Sequence, residues 1–151
     1  MRPWILGVAV FVACASSAGT RFPELQPCGE APIGYSQSFH DGPDFYIWRI
    51  APADGSTRRG GAGLYFGHHP DEKAPPDAIE SAGRLVRQAT AWRLWNSGGV
   101  EHAEAVVRYQ HSAQYDSVTL HAWVYAPDSA EAEVLRSWLS TLTLCERDAA
   151  S

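Results

Sequence analysis

Long apolar runs are missing from this sequence: none reaches the ~18 residues that a membrane-spanning helix needs. Positive charge is scarce as well. Twelve Lys and Arg stand against 17 Asp and Glu, for a formal charge of −5, and Lys73 is the one lysine. A nucleic-acid binder normally carries a basic face, so that class is excluded. Motifs that mark common chemistries are also absent. There is no His-Glu-x-x-His, phosphate loop or Gly-x-Gly-x-x-Gly. Gly34-Tyr35-Ser36-Gln37-Ser38 lacks the last glycine of a nucleophile elbow. His102-Ala103-Glu104 has the His-x-Glu of zinc deaminases without the Pro-Cys-x-x-Cys that must follow. Gly60-Gly61-Ala62-Gly63 has no following helix or Lys and reads as a turn into a strand. Paired carboxylates have no fixed spacing, so glycosidase chemistry leaves no sequence mark either way.

Bulk apolar material is plentiful. The 151 residues include six Trp, six Tyr and five Phe, enough for a packed core in one domain of ordinary size. At the start, Arg2 precedes the apolar stretch Trp4 to Ala13, and small residues follow as Cys14-Ala15-Ser16-Ser17-Ala18. This is the order of an export signal. Cleavage after Ala15 or Ala18 (residues 1–18 as signal) gives a soluble product. Phe11-Val12-Ala13-Cys14 also resembles a lipobox, and lipidation of Cys14 after loss of residues 1–13 gives an anchored one. Residues 19–27 then read as a tether. The product is expected to be exported: periplasmic, envelope-anchored or secreted.

Only three cysteines are present. With Cys14 removed or lipidated, Cys28 and Cys145 form an isolated pair, most simply a disulfide in an oxidising compartment. It delimits a single domain over residues 28–145, with 146–151 a disordered tail.

Ile33 to His40 and Asp44 to Ala51 read as strands flanking the turn Asp41-Gly42-Pro43. In the second, Phe45, Ile47 and Arg49 alternate with Tyr46, Trp48 and Ile50. Gly61 to Gly67 is a third strand, and His68 to Asp77, with three prolines, is loop. Asp77 and Glu80 are spaced as a capping box that would open one or two helical turns. Arg84 to Trp95 is ambiguous: its first half suits that helix, its second half a strand. A hairpin across Asn96-Ser97-Gly98-Gly99 into Val100 to Tyr109 is favoured. Ser117 to Tyr125 is the clearest strand, with Val118, Leu120, Ala122 and Val124 on one face and Thr119, His121, Trp123 and Tyr125 on the other. Asp128 caps a helix to Leu142 whose apolar stripe is Val134, Leu135, Trp138, Leu139 and Leu142. The expected fold is α+β: an antiparallel sheet of about five or six strands with a C-terminal helix packed on one face.

The runs Asp44 to Ile50, Gly63 to Pro70 and His121 to Tyr125 leading into the helix resemble small exported bacterial proteins of unknown function. In element order they are similar to PsbP-like α+β domains, over roughly residues 33–144. The resemblance implies a non-catalytic envelope domain and carries over no functional residue.

Three groups of residues are candidates for a site. His68 and His69, with Pro70-Asp71-Glu72, are the densest metal-capable cluster. Adjacent His side chains diverge, and His40, His102, His111 and His121 would complete a site only if the fold gathers them. The cluster therefore reads as a solvated loop, with no metal or cofactor expected. Arg49, Arg93, Glu104 and Arg108 interrupt apolar strands and read as the solvent side of a half-covered sheet. A functional alternative gathers Arg49, Arg93 and Arg108 with Trp48, Trp92 and Trp123 into an anion-binding patch. The sequence thus points to a non-catalytic domain that binds a protein partner or small ligand on the uncovered sheet face. Membrane contact is expected only through a lipid at Cys14. The alternative is a small hydrolase using His68, His69 or His121 with a nearby carboxylate.

Overall fold

The computed structural model describes residues 24–57 and 59–147. Residues 1–18, read as an export signal, and Cys14 within them lie outside the described residues. The architecture is α+β, with β1 (Leu25–Pro27), β2 (Tyr35–Asp41), β3 (Tyr46–Pro52), β4 (Gly61–Gly67), β5 (Ile79–Leu85), β6 (Gln88–Ser97), β7 (Val100–Tyr109), β8 (Val118–Ala126), α1 (Ser129–Thr141) and β9 (Leu144–Glu146). Seven strands form one antiparallel sheet, in the order β2-β3-β4-β8-β7-β6-β5, and β1 pairs with β9 in a second sheet of two strands. The large sheet exceeds the five or six strands that alternation suggests.

The additional strand is β5. Residues 79–85 hold few β-branched or aromatic side chains, and the Asp77–Glu80 spacing favours a helix start instead. In the structure Ala78 N–H closes a turn on the carbonyl of Pro75, and the chain then runs extended. Leu85 pairs with Gln88, so the β5–β6 hairpin turns on Val86 and Arg87, both at positive φ (49° and 64°). Non-glycine residues there cost roughly 1–2 kcal/mol each. The helix end offsets this cost. The Val86 and Arg87 N–H groups donate to the Leu139 and Ser140 carbonyls at 3.0 and 2.9 Å. The hairpin tip thereby satisfies two of the carbonyls that a helix C-terminus leaves open. The Asn96–Gly99 hairpin forms as expected, with Gly98 and Gly99 at positive φ and Ser97 paired with Val100.

One sheet face is the core. Leu64, Phe66, Leu120, Ala122, Val124, Ala103 and Ala105 share one buried cluster with Leu135 and Leu139 of α1, and the helix packs on β8, β5 and β7. Asp128 caps the helix by accepting the Glu131 N–H at 2.9 Å. The buried stripe is Ala132, Leu135 and Leu139; Val134, expected in it, faces solvent. Glu131 accepts from the Tyr35 hydroxyl and from Arg59 Nε, tying the start of β2 to the helix N-terminus.

The β1–β9 ribbon covers the β3 end of the same face. Leu25 N–H donates to the Tyr46 hydroxyl at 2.7 Å, and Trp48 Nε1 donates to the Leu25 carbonyl at 3.0 Å. Cys28 and Cys145 are disulfide-bonded with Cα atoms 5.3 Å apart. Residues 25–27, read as the end of a tether, are thus strand, and Leu25 is core. Glu146 and Arg147, assigned to the tail, are held by β9 pairing and by a bond from Arg147 N–H to the Glu24 carbonyl. Among the described residues no helix is long and apolar enough to cross a membrane.

Candidate functional site

Among the described residues no helix packs on the second sheet face. Strand register places Arg49, Gly63, Trp123, Glu104 and Arg93 in one row across β3, β4, β8, β7 and β6. Side chains alternate across a strand, so the four side chains project to this face and Gly63 leaves a gap in the row. Tyr65 lies opposite His121 one row along.

Glycines in β4 shape the surface. A Cβ at Gly63 would fall inside the Trp123 ring, with even the third-nearest ring carbon only 2.5 Å away. A Cβ at Gly61 would lie 2.6 Å from the Tyr125 hydroxyl. The missing side chains let Trp123 and Tyr125 lie across β4. Gly61 and Gly63 lie within the strand read over Gly61 to Gly67 and provide that trough. Phe45 stacks on Tyr65 at 5.7 Å between centroids.

The floor holds a buried polar pair. His121 Nε2 lies 2.6 Å from Glu104 Oε1, with the two side chains 6% and 2% exposed. Glu104, read as a solvent-side charge, is buried because residues 71–75 cross the face and supply donors. Lys73 N–H reaches Oε1 and Oε2 at 2.9 and 3.2 Å, and Ala74 N–H reaches Oε2 at 2.7 Å. Arg93 fixes the same segment, donating at 3.0 Å to the carbonyls of both Ala74 and Pro75. Both Glu104 oxygens act as acceptors, so His121 Nε2 is the donor in the pair. With Nε2 as the donor, a neutral ring presents Nδ1 as a lone-pair acceptor. Nδ1 has no hydrogen-bond partner among the described residues.

A cavity of about 720 Å³ opens above this floor, bordered by Ile47, Arg49, Tyr65, His102, Trp95 and Trp123 among others. Its size suits a small organic molecule. Trp95 stacks on His102 at 5.0 Å and 8° between planes. Lys73 Nζ pairs with Asp71 at 2.6 Å. Arg49 makes no ion pair or hydrogen bond through its side chain among the described residues.

The sequence candidates separate accordingly. Arg49, His121 and Trp123 meet at the cavity. Arg93 shares the face but is committed to the 72–75 segment, including Glu72 at 3.8 Å. Arg108, near the other end of β7, donates to the Ser117 hydroxyl at 2.8 Å. Trp48 and Trp92 are corrections to the patch, because they point to the covered face. Trp92 is buried with Nε1 bonded to the Arg84 carbonyl, and Trp48 packs against the core. Of the His pair, His69 borders the cavity and its N–H donates to the Tyr65 hydroxyl at 3.1 Å, whereas His68 is exposed and does not border it. Among the described residues no three His, Cys, Asp or Glu side chains converge as a metal-ligand set. His102 and Glu104, set aside in the sequence with the deaminase pattern, both belong to the site. No protein-family model, curated protein or solved structure matches this chain.

Proposed function

We propose that this chain is an exported, non-catalytic domain that binds a small amphipathic ligand on the uncovered face of its sheet. The observation that carries this reading is the 720 Å³ cavity, walled by aromatic rings and floored by the His121–Glu104 pair. Binding pockets combine an apolar lining with a few fixed polar groups, and this face has that composition. The leader pattern and the Cys28–Cys145 bond support export.

The test uses 1-anilinonaphthalene-8-sulfonate, an apolar dye whose fluorescence reports entry into such a cavity. Saturable one-to-one binding is expected, lost in Trp123→Ala while the unfolding transition stays cooperative. Absence of saturable binding, or equal binding by that variant, overturns the reading.

A second reading rests on the same pair. A carboxylate that orients a histidine leaves the far ring nitrogen as a general base, which would activate water against an ester. Among the described residues that border the cavity none is Ser, Thr or Cys, so the commonest acyl-enzyme nucleophiles are missing from this lining. Turnover of 4-nitrophenyl acetate, lost in His121→Ala, would favour this reading over simple binding.

A further inference from the structure

Resting on the binding reading, we infer that the ligand is an aromatic acid carrying a hydrogen-bond donor at its far end. Its acid is held by Arg49, its ring lies on Trp123, and its donor bonds His121 Nδ1. Three features on one face specify these groups independently.

The first is the unpaired cation. Three of the other charged groups at the cavity are already neutralised or saturated: Lys73 and Asp71 by each other, and Glu104 by two backbone N–H groups and His121. Asp44 remains, in the turn before β3, and Arg49 is left without a partner among the described residues. A guanidinium at the rim of an apolar cavity favours a planar carboxylate, which it engages through two parallel N–H bonds.

The second feature is the histidine. Its side chain is 6% exposed, yet Nδ1 is unsatisfied by protein. Nδ1 is not among the buried unsatisfied atoms, so it opens on the cavity, and a ligand that covers it must offer O–H or N–H or leave a costly unpaired acceptor. An aprotic ligand leaves it unpaired.

The third is the surface between them. Gly63 stands between Arg49 and Trp123 in the row, and Trp123 lies flat over it. His121 is one row along β8, and its ring is 5.6 Å from that of Trp123. Arg49 and His121 are separated by two strand spacings and two residues, or about 12 Å between Cα atoms. The long arginine stem shortens the gap, leaving room for one ring with a short acidic arm.

Calorimetry with three probes tests the inference without altering the protein. They are 3-(4-hydroxyphenyl)propionate, 3-phenylpropionate, which lacks the donor, and 3-(4-hydroxyphenyl)propionamide, which lacks the charge. The first is expected to bind about tenfold more tightly than either of the others. In Arg49→Gln the acid and the amide should bind alike, while the preference for the hydroxyl persists. In His121→Gln the hydroxyl preference should change and the acid preference persist. If that variant does not fold, the ligand pair alone decides. Equal binding of acid and amide by the native protein, or of phenol and phenyl, overturns the inference. If the naphthalene dye still binds saturably in that case, the binding reading stands and only the ligand class falls. If neither dye nor probe binds, both fall.

Discussion

Substituting Gly63 by alanine isolates the interaction that shapes the cavity. The added Cβ would overlap Cζ2, Cε2 and Cη2 of Trp123, so the ring must leave its seat across β4. Overpacking of this kind costs roughly 1–3 kcal/mol. Alanine in a strand recovers about 0.5–1 kcal/mol of backbone entropy relative to glycine. A net loss of about 1–2 kcal/mol is therefore expected, or roughly 4–8 °C in Tm for a domain of this size. The decisive comparison is a double-mutant cycle with Trp123→Ala, read by thermal unfolding. Once the indole is gone the cost of Gly63→Ala should vanish and become a gain of about 0.5–1 kcal/mol. The coupling energy is then about 2 kcal/mol. Dye binding should weaken in Gly63→Ala, because the displaced ring enters the cavity. An equal cost of Gly63→Ala in both backgrounds would refute the contact between glycine and tryptophan.

Three further expectations follow from the same structure. Reduction of Cys28–Cys145, or replacement of both residues by Ser, frees a loop closed across 117 residues. It should lower stability by about 4–5 kcal/mol on chain-entropy grounds, measured by urea unfolding with and without dithiothreitol; an unchanged midpoint would contradict it. Glu104→Gln keeps one acceptor oxygen and turns an NH₂ toward the Lys73 and Ala74 N–H groups. A loss of about 2–3 kcal/mol is expected, with faster hydrogen exchange at those two amides, and unaltered protection there would argue against the anchor. The Tyr35 hydroxyl is pushed up to about 12 by burial first and then by Glu131, and burial raises Tyr46 and Tyr109 as well. Unfolded tyrosines ionise near pH 10, so the folded state keeps protons that the unfolded state sheds. Stability should hold below about pH 10 and fall as pH rises toward 12. Tyr35→Phe should flatten that decline, and an unchanged slope, followed with absorbance at 295 nm, would exclude the contribution.

The strands with strong alternation were legible from residue type alone. Tyr46, Trp48 and Ile50 against Ile47 and Arg49 define β3, and Leu120, Ala122 and Val124 against His121 and Trp123 define β8, each with the correct faces. Asp128 and the Leu135–Leu139 pair likewise define the helix. The β5–β6 hairpin was hidden because its turn residues are Val86 and Arg87, not Asn and Gly. Their left-handed backbone is stabilised by carbonyls at Leu139 and Ser140, more than 50 positions away in the chain. A tertiary hydrogen bond cannot be read from local turn chemistry. The same applies to β1 and β9, which are three residues each and exist through their mutual pairing and the disulfide between them.

The site was half legible for a related reason. Parity puts Arg49 on one side of β3 and Trp123 on one side of β8, but only the order β3-β4-β8 makes those sides one face. Trp48 and Trp92 carry the opposite parity in their strands and belong to the core. Glu104 misleads because a carboxylate within a strand ordinarily faces water, whereas here Lys73 and Ala74 deliver two backbone donors to it. A usable signal was present at Gly61 and Gly63. Two glycines spaced by two residues within a strand remove successive side chains from one face. That leaves a trough about 7 Å long, and bare backbone exposed over that length is unfavourable unless something covers it. The neighbouring β8 places Trp123 and Tyr125 at the matching spacing, directly opposite those glycines. Where glycines alternate in one strand and large aromatics alternate in another, mutual coverage is the simplest way to satisfy both. That pairing predicts β4 and β8 as neighbours and the face that Trp123 covers, whereas Arg49 joins that face only because β3 pairs with the other edge of β4.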